Sequence, residues 1–178
     1  MTQQVIFAGF GGQGVLLAGQ LLAYAGMLEE KNVTWMPSYG PEMRGGAANC
    51  SVVVSDEVIG SAIVNEPDAL IVMNRPSFEL FEKNIVPGGV LIYNSSLIDI
   101  KSQRSDITII PVPCNEIAAE LGNSKVANMV ILGAYLKYSG VVDTENVLVA
   151  LQEKLGEGKQ HLIPLNREAI AAGAKCVG

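Results

Sequence analysis

The chain has 178 residues and a net charge of −6 at pH 7, with 49% hydrophobic and only 17% charged residues. This length predicts a single domain over residues 1–178, large enough to bury a substantial core. The acidic balance and the lack of any run of Lys and Arg argue against a nucleic-acid partner. The low charged fraction fits permanent association with other subunits and an ordinary compact α/β protein equally well.

Several kinds of protein are disfavoured by simple sequence features. No segment resembles a signal peptide, and the longest apolar stretches fall short of the roughly 20 residues that span a bilayer, so we expect a cytoplasmic protein. Cys50, Cys114 and Cys176 are far apart and form no Cys-x-x-Cys pair, so we expect no metal ligands for zinc or an iron–sulfur cluster. His161, the only histidine, lies in a polar segment and is expected to be a surface residue.

The first predicted strand leads into a glycine-rich turn. Apolar residues 5–8 are followed by the motif GFGGQG at residues 9–14 and then by a long apolar helix pattern over residues 14–30. A strand, a glycine-rich turn and a helix N-terminus form the arrangement that binds pyrophosphate groups through backbone N–H groups. The motif alone has low specificity.

The second predicted strand lacks the acid of a dinucleotide site. In such sites a carboxylate at the end of this strand, about 20 residues after the turn, binds the ribose. The strand at residues 33–36 ends in Met36-Pro37-Ser38, while Glu29 and Glu30 fall at the end of the preceding helix. The fold prediction stands, but NAD binding is disfavoured.

A dense loop follows the second strand, reading SYGPEMRGGAANCS over residues 38–51. It leaves the sheet at the same end as the glycine-rich turn, where open α/β sheets bind ligands, so we expect the two loops to face one crevice. Arg44 is suited to bind a phosphate or carboxylate with Glu42 orienting it; the alternative is an ion pair that fixes the loop or docks a subunit. Asn49 and Tyr39 could add hydrogen bonds or hold the turn.

The next segment interrupts the strand–helix alternation. Residues 49–55, the turn Ser55-Asp56-Glu57 and the pair Val58-Ile59 predict an inserted β-hairpin. The remaining strand patterns lie at residues 69–73, 90–93 and 106–111. Helix patterns lie at residues 76–83, 114–121, 126–138, 144–155 and 167–174, and the helix at 126–138 is apolar nearly all round.

Together these elements predict an α/β fold. We expect a Rossmann-like, three-layer architecture with a mostly parallel sheet, helices on both faces and the inserted β-hairpin. Asp143 is a suitable N-cap for the helix at 144–155, and Gly140 is suited to end the one before it.

The chain resembles the gamma subunits of 2-oxoacid:ferredoxin oxidoreductases. The resemblance covers nearly the whole sequence, and its most specific part is the run YGPEMRGG at residues 39–46. It also rests on the motifs at residues 9–14, 60–64, 87–89, 128–133 and 166–173.

The resemblance implies a division of labour between subunits. The whole enzymes convert a 2-oxoacid, coenzyme A and oxidised ferredoxin to acyl-CoA, CO2 and reduced ferredoxin. Alpha and beta subunits are expected to carry thiamine diphosphate and Mg²⁺, and the beta subunit and a ferredoxin-like delta subunit the 4Fe–4S clusters. The gamma subunit is expected to be structural and to face coenzyme A, with no catalytic residue; the resemblance assigns the crevice to Gly11, Gly12, Gln13, Gly14 and Arg44.

The same resemblance also bears on the substrate. Phe10 and the run PEMRGGAANC look more like 2-oxoglutarate-type than pyruvate-type gamma subunits, and branched-chain 2-oxoacids stay open.

One alternative function is that of a free-standing protein that binds NAD(P) or another nucleotide; another is that of a binding or regulatory module without an enzymatic role in any complex. Alone, the gamma-type chain is expected to be inactive and to form homodimers through the surface that its partners cover.

Overall fold

The computed structural model describes residues 1–38 and 47–178. Its strands are β1 (Thr2–Phe10), β2 (Asn32–Ser38), β3 (Ala47–Ser55), β4 (Ala69–Val72), β5 (Val90–Asn94) and β6 (Thr108–Val112). Its α-helices are α1 (Val15–Leu28), α2 (Arg75–Phe81), α3 (Cys114–Glu120), α4 (Ala127–Ser139), α5 (Thr144–Leu155) and α6 (Ile163–Ala174). Each predicted helix, and each strand predicted outside the hairpin's second arm, lies within two to four residues of an observed one, which is the usual error for element ends.

The strands form one mixed sheet in the order β2-β3-β1-β4-β5-β6. Strands β1, β4, β5 and β6 are mutually parallel, whereas β3 runs antiparallel to both of its neighbours, β1 and β2. The prediction of a mostly parallel α/β sheet is therefore confirmed. The antiparallel strand β3 lies beside β1, where a dinucleotide-binding fold places its second parallel strand.

Helices cover both faces of the sheet. Successive side chains of a strand point to opposite faces, so Val5 and Phe7 of β1 pack in the cluster that contains α1. Ile6 and Ala8 pack on the other face, in the cluster that contains Phe78 of α2. The first face is the thicker one, because α3, α4, α5 and α6 also contribute buried residues to it.

Helix α4 is the most deeply buried helix of the described chain, with every residue from Ala127 to Leu136 buried. Two glycines let α6 approach it closely. A Cβ added to Gly133 would lie 2.1 Å from the Ile170 carbonyl oxygen, and one added to Gly173 would lie 1.7 Å from that of Val130. The apolar character of α4 all round is thus explained by packing within this chain, between the sheet and α6.

The predicted hairpin over residues 49–59 is wrong in its second arm. Residues 49–55 do form a strand, but Val58 and Ile59 are not in a strand, and Val58 is 91% exposed. The reason is that both edges of β3 are already occupied: Ser55 pairs with Thr2 on one side and with Asn32 on the other. The antiparallel hairpin of this fold consists of β2 and β3.

Two predicted helix caps are confirmed. The Asp143 side chain accepts a hydrogen bond from the Glu145 N–H at 2.8 Å at the start of α5. Gly140 ends α4 in the left-handed conformation, with φ of 60°. None of the helices in the described ranges combines the length and the apolar character that crossing a membrane requires.

Candidate functional site

The glycine-rich turn connects the carboxyl end of β1 to the N-terminus of α1. Gly12 and Gly14 have φ values of +92° and +77°, in the left-handed region that glycine adopts without strain. No described side chain caps the N-terminus of α1, and its first turn contains no acidic residue. The free N–H groups and the positive end of the helix dipole therefore suit an anionic or hydrogen-bond-accepting ligand.

The turn lies where the sheet changes the direction of its connections. Helix α1, which follows β1, packs on one face, and α2, which follows β4, packs on the other. Loops that diverge in this way leave a crevice at the carboxyl ends of the strands. The Gln13 side chain bridges the carboxyl ends of β1 and β4, since its Oε1 accepts from the Phe10 N–H at 2.6 Å and its Nε2 donates to the Met73 carbonyl at 3.2 Å.

Two shallow pockets lie on either side of the turn, and Gly12 borders both. One, of 240 Å³, is lined by polar and cationic groups that include Gln13, Asn115 and Lys125. The other, of 250 Å³, is lined mainly by apolar groups that include Leu16 and Leu17. The arrangement suits a ligand that has a charged and an apolar part.

Asn115 and Lys125 are the site residues that the sequence did not reveal. Asn115 Oδ1 accepts from Nδ2 of the buried Asn94 at 2.7 Å, which ties the start of α3 to the end of β5. Lys125 lies in a short 3₁₀ turn, Ser124–Val126, and the side chain of its N-cap residue, Asn123, accepts from the Lys125 N–H. An Asn two residues before a Lys signals a local turn, but only the folded topology brings that turn to the glycines.

The predicted site residues have different outcomes. Gly11, Gly12, Gln13 and Gly14 connect β1 to α1, and their role in binding a ligand stays a prediction. Arg44, with Glu42 and Tyr39, lies outside the described residues. The strand ends that flank that loop are in place, because Ala47 pairs with Phe10 and Ser38 pairs with Asn49 at the carboxyl edge of β1. That both loops face one crevice stays a prediction.

The strand order places the end of β2 too far from the turn for the acid of a dinucleotide site. Strand β2 is separated from β1 by β3, so its carboxyl end lies one strand further from the turn than in a dinucleotide fold.

Glu29 lies at the opposite end of α1 from the turn and accepts from the Asp143 N–H at 2.7 Å and from Asn146 Nδ2 at 2.8 Å. Burial alone would raise the pKa of Glu29, but these hydrogen bonds and the Lys31 ammonium lower it.

The cysteine nearest to the turn is chemically inert. Cys50 is fully buried, with its Sγ 3.7 Å from the Val15 carbonyl oxygen. Burial raises the pKa of Cys50 to about 12, so the thiol stays protonated at neutral pH and is a poor nucleophile. Within residues 1–38 and 47–178, no three His, Cys, Asp or Glu side chains are grouped so that they could hold a metal ion.

Comparison with known proteins identifies the family. The family model described as pyruvate ferredoxin/flavodoxin oxidoreductase matches residues 4–176. The chain belongs to this family. A 2-oxoglutarate synthase subunit KorC of Methanocaldococcus jannaschii is 34% identical over 163 residues, which are 90% of this chain and 87% of that protein. The gamma subunit of a keto/oxoacid ferredoxin oxidoreductase from Geobacter sulfurreducens has the same fold, with a TM-score of 0.86 and 28% identity over 98% of this chain and 95% of that one.

Another member of the family is much longer than this chain. The ketoisovalerate oxidoreductase subunit VorA of Methanothermobacter marburgensis is 38% identical over 172 residues, which are 96% of this chain but only 36% of VorA. The chain thus spans about a third of VorA and most of KorC. The family segment that this chain represents occurs both in a polypeptide of similar length and as part of a longer one.

Proposed function

We propose that this chain is the single-domain, non-catalytic gamma subunit of a cytoplasmic 2-oxoacid:ferredoxin oxidoreductase complex. The observation that carries the proposal is the alignment with KorC, a subunit of similar length, over 90% of this chain. In VorA the corresponding segment makes up only 36% of the polypeptide. The other parts of the proposed enzyme are expected on partner subunits.

The partners are the alpha and beta subunits and a ferredoxin-like delta subunit, with ferredoxin as electron acceptor. When bound to those chains, thiamine diphosphate with Mg²⁺ supplies decarboxylation chemistry, and 4Fe–4S clusters carry the electrons to ferredoxin. The role of this chain is to shape and cover the coenzyme A side of the complex. Its inert, buried Cys50 fits that role better than a catalytic one.

The proposed coenzyme A-facing surface is the glycine-rich turn with its two pockets. Backbone N–H groups at Gly11, Gly12 and Gly14 suit hydrogen-bond acceptors of the ligand, and Lys125 at the polar pocket suits its phosphates. Leu16 and Leu17 at the other pocket suit its apolar arm. Gln13 holds the turn, and we also keep Arg44 as a proposed ligand contact.

The proposed substrate is 2-oxoglutarate. Support comes from Phe10 in the turn and from the KorC relative, which is named for 2-oxoglutarate synthase. The VorA relative, named for ketoisovalerate, makes branched-chain 2-oxoacids the second candidate. Most of the groups that contact the 2-oxoacid are expected on the partner chains.

The test is capture of the tagged chain from its native host, followed by an assay of viologen dye reduction. Each 2-oxoacid is supplied in turn (2-oxoglutarate, pyruvate and 3-methyl-2-oxobutanoate), with and without coenzyme A. We expect partner chains to be recovered with a coenzyme A-dependent activity that is highest for 2-oxoglutarate, and no activity from the isolated chain.

Two results would contradict parts of this proposal separately. A captured complex that prefers 3-methyl-2-oxobutanoate would overturn the substrate and keep the subunit assignment. A chain that is recovered alone and binds a dinucleotide tightly would overturn the subunit assignment itself.

A further inference from the structure

Two side-chain amides hold the glycine-rich turn from opposite sides. The Gln13 side chain links the end of β1 to the residue that follows β4. Its Oε1 accepts from the Phe10 N–H at 2.6 Å, and its Nε2 donates to the Met73 carbonyl at 3.2 Å. Asn128, at the start of α4, donates from Nδ2 to the Gly14 carbonyl oxygen at 3.1 Å. Each amide therefore contacts a different end of the turn.

The two amides are themselves held in place. Asn128 is only 6% exposed, and its Oδ1 accepts from the Met129 N–H at 3.0 Å, so both of its polar groups are used. The space beside Gly14 is filled by this side chain, since a Cβ there would lie 2.4 Å from Asn128 Nδ2. The space beside Gly9 is filled in the same way by Gln13 Oε1, at 2.6 Å.

We propose that Gln13 and Asn128 are positioning residues that hold the glycine-rich turn in its ligand-binding shape before the ligand arrives. Neither amide has to contact the ligand for this role, because the turn's own N–H groups do so. A preformed turn loses little conformational freedom on binding, which raises affinity. The ligand part of this inference rests on the proposed coenzyme A-facing function.

The test uses two variants that each remove one donor and keep the shape of the side chain. In Gln13→Glu, the oxygen that accepts from the Phe10 N–H stays, but a carboxylate oxygen faces the Met73 carbonyl. In Asn128→Asp, the bond from the Met129 N–H stays, but the donor to the Gly14 carbonyl is lost. Gln152→Glu makes the same chemical change on the exposed surface of α5 and serves as the control.

The first readout is amide hydrogen exchange of the isolated chain by NMR. The diagnostic amides are those of residues 13 and 18, which donate to the carbonyl oxygens of Phe10 and Gly14. We expect their exchange to become about tenfold faster in both variants and to stay unchanged in the control, with β4 and β5 amides unaffected. Unchanged exchange at these amides in a folded variant would overturn the proposal.

The second readout is steady-state kinetics of the assembled complex. In Asn128→Asp, whose side chain is buried and lines neither pocket, we expect the KM for coenzyme A to rise about tenfold with kcat and the KM for the 2-oxoacid nearly unchanged, because the turn contributes to binding of coenzyme A. A looser turn with an unchanged KM for coenzyme A would show that the amides do position the turn, and would overturn the coenzyme A-facing function instead. If Asn128→Asp does not fold, hydrogen exchange in Gln13→Glu, at a half-buried position, still tests whether the side-chain amide positions the turn.

Discussion

At the scale of single residues, the turn depends on glycines for two different reasons. Gly12 needs only a positive φ, of +92°, because nothing lies within 4 Å of the position of a Cβ. Gly14 needs both a positive φ, of +77°, and the absence of a side chain next to Asn128. A substitution at Gly12 therefore tests backbone strain alone, whereas one at Gly14 tests backbone strain and side-chain crowding together.

The first prediction compares alanine at these two glycines. Gly12→Ala should lower the free energy of unfolding by about 1–2 kcal/mol, the strain of a left-handed non-glycine residue. Gly14→Ala should lower it by about 2–4 kcal/mol, because the methyl group also displaces the buried Asn128. Urea denaturation of both variants at one protein concentration measures the difference. Equal losses would mean that Asn128 moves away freely.

A second residue-scale prediction concerns Glu29. Its pKa is lowered in the folded state, so the unfolded chain binds more protons as the pH falls through the carboxyl range, and folded-state stability is lost there. Glu29→Gln should therefore be less stable than wild type by about 1 kcal/mol at pH 7, since the hydrogen bonds from Asp143 and Asn146 lose their charged acceptor.

The difference in the free energy of unfolding between wild type and Glu29→Gln should decrease as the pH falls. It should be fully present above the ordinary carboxyl pKa of 4.5 and should shrink as the pH falls toward 3, because Glu29 then becomes neutral in wild type as well. The exposed neighbour in Glu30→Gln is the control and should change little at either pH. A gap of the same size at pH 7 and pH 3 would show that the charge of Glu29 contributes nothing.

At the scale of elements, α4 and α6 pack closely, and glycine makes this contact possible. Gly173→Ala should lower the free energy of unfolding by about 3 kcal/mol, because its methyl group would lie 1.7 Å from the Val130 carbonyl oxygen and would push the helices apart. Gly158→Ala, with nothing within 4 Å, is the control and should be within about 0.5 kcal/mol of wild type. A loss below 1 kcal/mol in Gly173→Ala would mean that α6 shifts without consequence.

Local sequence patterns predicted the elements well but not their partners. The apolar runs and the caps at Asp143 and Gly140 depend on neighbouring residues, so they could be read from the chain. The pairing of Ser55 with both Thr2 and Asn32 depends on contacts far along the chain, and the missing free edge is why the predicted second hairpin arm is absent.

In the candidate site, too, the local motif could be predicted from the sequence, whereas the long-range contacts could not. The glycine-rich turn is a local motif, and it lies where the strand–turn–helix pattern placed it. Asn115, Lys125 and Asn128 come to the turn from more than a hundred residues away in the sequence, through the parallel strands and α4. No periodicity or motif in their own segments indicates that contact.

At the scale of the whole molecule, the chain is poor in charged residues and exposes several large apolar side chains. Only 17% of the residues are charged, and large apolar side chains such as Met27, Met36 and Ile63 are exposed. The isolated chain is therefore predicted to associate with itself through surface that partner subunits cover in the complex. Light scattering over a range of concentrations should give the molar mass of two chains at high concentration. A monodisperse monomer throughout would contradict this prediction.

The order of strands in the sheet sets the last prediction, on dinucleotide binding. Neighbouring strands lie about 4.8 Å apart, so β2 lies roughly 10 Å from β1, with β3 between them. A carboxylate at the end of β2 is therefore too far from the turn to bind a ribose there. We expect no NAD(H) binding to the isolated chain up to about 1 mM by calorimetric titration. Ser38→Asp, which restores an acid to the end of β2, should not create binding either, because the intervening strand stays. Micromolar binding by wild type would mean that the turn is a dinucleotide site after all, and binding gained only in Ser38→Asp would mean that strand order is not what prevents it.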